Sequence, residues 1–161
     1  MISIKMQEAI NAQINAEMWS AYLYLAMSMD ATDKGMKGVA HWFRKQYSEE
    51  MEHAMKFVDY LHGQMARVEL KPIAEVNTKW DNATKMFEQT LEHEKKVTSL
   101  IHNLCNIAAE EKDYATANLL QWYVNEQVEE EANAQEILDD LNFIGNDKVG
   151  FYMLDKELGK R

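Results

Sequence analysis

Proline is almost missing from this chain: Pro72 is the only one in 161 residues. Glycine is scarce as well, at six. These two residues are the strongest helix breakers, so their rarity leaves room for long uninterrupted helices. The single cysteine, Cys105, rules out a disulfide framework within the chain and points to a reducing compartment. It reads most simply as a small core residue. No apolar run reaches the length of a signal peptide or a membrane span, so a cytoplasmic protein with no membrane partner is expected. Basic residues are outnumbered, 17 against 27 acidic, which leaves a net charge of −10. That balance argues against nucleic acid, which is bound through basic patches, and is compatible with attracting cations. No internal repeat or low-complexity segment divides the chain, and its length suits a single domain, residues 1–161.

What is present is helical periodicity with a flaw in each copy. Four segments carry apolar residues at alternating steps of three and four, the pattern of a helix facing a bundle core. The first seam is Ile10, Ile14, Glu17, Ala21, Tyr24, and the second is Phe43, Tyr47, Glu50, Ala54, Phe57, Leu61. The third is Phe87, Leu91, Glu94, Thr98, Ile101, Cys105, and the fourth is Leu120, Tyr123, Gln127, Glu130, Ala134, Ile137, Leu141. Each is interrupted near its middle by a glutamate. Mid-helix residues stay at mid-height whichever way a helix runs, so the four glutamates should meet at one level of a four-helix bundle.

Burying an unpaired carboxylate costs several kcal/mol, against a net stability of about 5–15 kcal/mol for a domain. The seams carry no lysine or arginine. Either some glutamates are protonated or cations fill the layer. Four carboxylate charges match two divalent cations, and oxygen-rich sites with an imidazole suit iron or manganese. The imidazole is supplied by His53, three residues after Glu50 and on the same helix face. Such a Glu-x-x-His pair is one way bundle helices present ligands to a metal pair. The plain alternative, an acidic face in water, fits any one of these glutamates better than it fits four at matching depth.

Helix one is expected from about Ser3 to Thr32, followed by a turn at Asp33-Lys34-Gly35. Helix two should run to about His62, with Gly63 ending it. Residues 64–79 lack periodicity and are long enough to travel the length of the bundle. Helices two and three would then lie parallel. Helix three should be capped by Asp81 and reach Glu111, helix four should end near Gly145, and a short amphipathic helix should follow with Val149, Tyr152, Met153 and Leu154 as its apolar face. The expected fold class is all-α: a ferritin-like four-helix bundle with a long crossover between helices two and three and a short fifth helix.

At these residues the chain resembles the ferritin family over essentially its whole length, and is most similar to bacterial non-haem ferritins. The resemblance rests on Glu17 with Tyr24, on Glu49-Glu50-Met51-Glu52-His53, on His93-Glu94, and on the specific run from Gln121 to Glu131. It implies a homo-oligomeric shell of 24 subunits that oxidises Fe(II) with oxygen or hydrogen peroxide and stores the ferric mineral. By the same resemblance Glu17, Glu50 and His53 would form a first iron site, with Glu50 bridging to a second completed by Glu94 and Glu130. Gln127 would position oxygen or water, and Tyr24 would hydrogen-bond beside the centre. Glu49, Glu126, Glu129 and Glu130 match a third, peripheral iron position. Met51 stands where the haem-binding members of the family carry their haem methionine, but the rest of the chain favours the non-haem branch, and no haem is expected. The positions matching the acidic pore residues of animal ferritins are Ala117 and Leu120, leaving Glu110, Glu111 and Asp113 as nearby acids.

Helix four has no second Glu-x-x-His, since Gln127 and Glu130 occupy its positions. One imidazole leaves the second metal position weaker, which suits a centre that passes iron onward. The rival readings are a di-iron or di-manganese oxidoreductase with an organic substrate, and a metal-buffering or structural bundle.

Overall fold

Ser3 begins the first helix by accepting the Met6 backbone N–H on its hydroxyl. In the computed structural model, which describes residues 1–161, five helices follow in order: α1 (Ile4–Asp33), α2 (Lys37–Gly63), α3 (Ala83–Glu111), α4 (Tyr114–Ile144) and α5 (Lys148–Leu158). Gly35, at φ 76°, makes the turn into α2. Lys112 takes up the left-handed conformation at the end of α3, and Asp113 then caps α4 through the Thr116 N–H. The cap of α3 is Asn82, which accepts from the Lys85 N–H at 2.9 Å, and not Asp81 as the sequence had suggested. The two are adjacent acceptors, and only the backbone entry angle distinguishes them.

Helix directions follow from the contacts. Tyr24 meets Glu94, and Met27 meets Thr90, so α1 and α3 run antiparallel. Gln46 meets Glu130, and Tyr60 meets Thr116, so α2 and α4 run antiparallel as well. With α1 and α2 joined by a short turn, α2 and α3 are parallel, as the long crossover requires.

The crossover is held by one stripe of α1. Gln7, Asn11, Asn15 and Trp19, four residues apart, reach the backbone of Arg67, Glu69, Lys71, Pro72 and Glu75. Asp30 ends the run by accepting the Trp80 N–H at 3.0 Å. An extended segment has no internal hydrogen-bond ladder, so α1 side chains satisfy these backbone groups.

Of the apolar face expected for the fifth helix, only Leu154 docks on the bundle. Phe151, Leu154 and Leu158 pack on the bundle, whereas Val149, Tyr152 and Met153 are exposed. The cause lies on α2, whose first turn has no side-chain cap of its own. Asp155 supplies the cap from α5, its Oδ1 accepting the Val39 N–H at 2.9 Å. Gly38 permits the approach, because a Cβ there would lie 1.6 Å from the Asp155 carbonyl oxygen. No helix is long and apolar enough to cross a membrane.

Candidate metal centre

The glutamates of all four seams are buried: Glu17, Glu50, Glu94 and Glu130 are each at most 4% exposed. The structure brings the ligand atoms of Glu17, Glu50 and His53 within 4.8 Å of one another, and does the same for His53, Glu126 and Glu130. The His53 ring stands between the two groups. Its Nδ1 faces Glu50 at 3.4 Å, and its Nε2 faces Glu126 at 3.7 Å. Tyr123 anchors this stretch of α2 by donating to the His53 carbonyl oxygen at 2.7 Å. Trp122 packs edge-on against the ring at 5.4 Å.

Three of the four buried carboxylates have a neutral donor beside them, and Glu50 has only the His53 ring. Gln13 donates to Glu17 at 2.8 Å, and Gln46 donates to Glu130. Tyr24 donates to one oxygen of Glu94, and Gln127 donates to the other at 3.1 Å. The Gln127 amide also reaches Thr98, so this nitrogen is engaged within the protein. Gln13 and Gln46 were not among the residues anticipated from sequence. Their signal is there, since each lies four residues before a seam glutamate, Glu17 or Glu50, on the same face.

One atom is left over. Glu17 Oε2 is buried and receives no hydrogen bond. A proton shared with the neighbouring Glu50, a water or a cation would satisfy it. Burial first, and mutual repulsion second, push the carboxyls up. Burial raises Glu94 to about 7, and burial with the charge of Glu94 raises Glu130 to about 8. Burial raises Glu17, and Glu50 goes well above the ordinary value because burial is joined by the charges of Glu94, Glu17 and Glu130. Glu50 is therefore the one residue repelled by all three others. Without a cation the layer holds protons near neutral pH, and a divalent ion would replace them.

The other anticipated residues divide. Glu126 joins the His53 group, while Glu49 is partly exposed and is paired with Arg161. Glu129 is exposed and belongs to neither group. Leu120 is fully buried in the core, so it cannot line a pore. Glu110 pairs with Lys5, Glu111 accepts from Ser3, and Asp113 caps α4, so all three nearby acids have work within the chain. An open cleft of about 520 Å³, lined by Glu49, Glu52, His53, Asp59, Trp122 and Glu126 among others, leads to the outer edge of the imidazole.

Residues 7–144 match the family described as the ferritin-like domain. The chain belongs to the ferritin family. This ferritin is 47% identical, over the full length of both chains, to a bacterial non-heme ferritin of Bacteroides fragilis. It is 37% identical to one of Staphylococcus haemolyticus, over 100% of this chain and 97% of the other. Among solved structures, an open pore ferritin from Archaeoglobus fulgidus superposes with a TM-score of 0.99 at 50% identity, covering 100% of this chain and 99% of that one. The expected all-α bundle with a short fifth helix is thus the ferritin fold.

Proposed function

We propose that this ferritin stores iron by oxidising Fe(II) at the buried carboxylate layer and holding the ferric product as oxo-hydroxide mineral inside a homo-oligomeric shell of 24 subunits, each chain contributing one domain, residues 1–161. The observation that carries this reading is the orphaned Glu17 oxygen within a layer of four buried carboxyls that no lysine or arginine enters. A permanent layer of this kind costs stability and has no compensating structural use. Iron is the substrate here, and the hard oxygen donors with one imidazole match its chemistry.

Glu17, Glu50 and His53 hold the first ion. Glu50 bridges to the second, completed by Glu94 and Glu130. The role of bridge suits Glu50 because it faces the charges of the other three glutamates. Metal binding expels the protons that the raised carboxyls carry, so uptake weakens as pH falls. Each Fe(II) then loses one electron to bound oxygen or hydrogen peroxide. Anionic oxygen ligands favour Fe(III) over Fe(II), which lowers the potential and drives the transfer. Tyr24 steadies Glu94 through its hydroxyl, and Gln127 holds the other Glu94 oxygen. Glu49, Glu126 and Glu130, with the exposed Glu129 at the rim, form the outer position from which ions enter or leave by way of the acidic cleft. Ferric hydrolysis releases further protons. The exposed apolar group of Phe143, Val149, Tyr152 and Met153 supports assembly, as neighbouring subunits would cover it.

The test is stopped-flow absorbance. Metal-free protein is loaded anaerobically with a few Fe(II) per subunit and mixed with oxygen or with hydrogen peroxide. The expected result is a fast ferric signal saturating near two or three Fe(II) per subunit, then slower mineral growth. Oxidation no faster than the protein-free control with both oxidants sinks the proposal.

A further inference from the structure

Arg161 lies beyond α5 in the chain but folds back onto α2. Its guanidinium stacks over the Trp42 ring at 4.6 Å. One arm of the fork, Nη2, donates to the Glu49 carboxylate, and the other, Nη1, donates to Gln46 Oε1 at 2.8 Å. The Arg161 carbonyl oxygen meets His41 Nε2 at 2.8 Å. The residue is thus fixed by its ring contact, both arms of its fork and its backbone. That is more than a free surface ion pair provides, and the planar fork loses little entropy on making two bonds at once.

Both ends of the fork lead to the metal centre. Glu49 is an acid of the outer position. Gln46 has its oxygen occupied by Arg161, which turns its amide nitrogen to Glu130. Arg161 holds one Glu49 oxygen, Oε2, and sets a positive charge beside the other, so a divalent ion on Glu49 meets competition for that oxygen and charge repulsion as well. We propose that Arg161 is a tethered cation that competes for Glu49, so that a metal ion takes the outer position against its charge. This rests on the assignment of Glu49 to that position. Competition by a built-in charge keeps the outer position weaker than the buried pair, so an ion there is poised to move on. Arg161 is a positioning residue. It touches neither buried ion nor oxidant, and acts through Glu49 and Gln46.

The experiment is calorimetric titration of metal-free assembled protein with Zn(II), which binds without redox change. Wild type is compared with Arg161→Gln, Arg161→Lys, Glu49→Gln and the double variant. Wild type should show two tighter events and one weaker event per subunit. Arg161→Gln should strengthen the weaker event about two- to fivefold, the scale of a partly exposed ion pair, and leave the two tighter events in place. Those two events also report that the variant is folded. Arg161→Lys keeps the charge but loses the fork and should fall between the two. In the Glu49→Gln background, Arg161→Gln should change nothing. An unchanged weaker event in Arg161→Gln overturns the role given to Arg161 alone, as does the same strengthening in the Glu49→Gln background. A weaker event that survives Glu49→Gln by itself overturns the assignment of Glu49, and this inference with it. If Arg161→Gln fails to assemble, Arg161→Lys decides by the same comparison, and affinity equal to wild type in both backgrounds counts against the proposal.

Discussion

On either side of the carboxylate layer the same four helices bury a different kind of surface. Toward α5, Leu23, Met27, Phe43, Phe87 and Leu138 belong to one apolar cluster. Toward the start of α1, Ile10, Phe57, Leu61, Ile101 and Leu104 belong to another. Glu17, Glu50, Glu94 and Glu130 lie between them, and the two clusters do not merge. The ends draw stability from apolar area, at roughly 25 cal/mol per Å² removed from water. The middle gives part of it back. Removing a side chain from an end should therefore weaken the fold, whereas neutralising one in the middle should weaken the chemistry and spare or strengthen the metal-free fold.

The largest expected effect is at an end. Phe57 stacks on Tyr123 with ring centroids 3.9 Å apart and is fully buried. Phe57→Ala should cost about 3–5 kcal/mol in denaturant unfolding of the metal-free protein. A loss below about 1 kcal/mol would mean the ends are not where stability resides. In the middle layer, Glu50→Ala should slow the fast phase of Fe(II) oxidation by about a hundredfold, or ~2.7 kcal/mol of barrier, with the shell still assembled by light scattering. Normal oxidation in that variant would remove Glu50 from the centre.

The next effect depends on pH. Glu94 and Glu130 have folded values raised to about 7 and about 8, above the ordinary carboxyl value of 4.5. Between 4.5 and those values the folded protein binds more protons than the unfolded chain, so unfolding free energy falls as pH rises. Metal-free protein should lose stability steadily between pH 5 and pH 8, opposite to the trend of an ordinary salt-bridged carboxylate. Glu94→Gln should flatten that slope, and saturating Zn(II) should reverse it, because metal binding improves as the ligands deprotonate. A metal-free stability that rises across this window would show that the layer is not protonated at its lower end. The smallest effect lies outside both regions. Asn11 bonds the crossover at Arg67 and Glu69, at 2.9 and 2.8 Å. Asn11→Ala should cost about 1 kcal/mol and speed hydrogen exchange at the Glu69 amide without changing oxidation.

How much of this was readable in advance depends on how local the cause is. Every seam glutamate is buried as its heptad position implied, because a helix core four turns long averages out local error. On α5 Leu154 packs as expected but Val149, Tyr152 and Met153 are exposed, because eleven residues are too few to choose a face. Gly38 and the Asp155 cap made that choice from another helix. Gln13 and Gln46 could have been found by stepping back one turn from each glutamate. Arg161 could not, since it lies 112 positions from Glu49.

By itself the sequence determined that the chain is a bundle of long helices with a charged layer at mid-height, because period and polarity are properties of each helix alone. It also determined that one imidazole, His53, serves the layer. Only the tertiary structure decided how those residues divide. His53 stands between an inner and an outer group, one Glu17 oxygen is left without a donor, Glu129 is turned out to water, and Arg161 is brought onto Glu49. The physical reason is that ligand geometry and charge pairing depend on distances between helices, and those are set by packing after the helices exist.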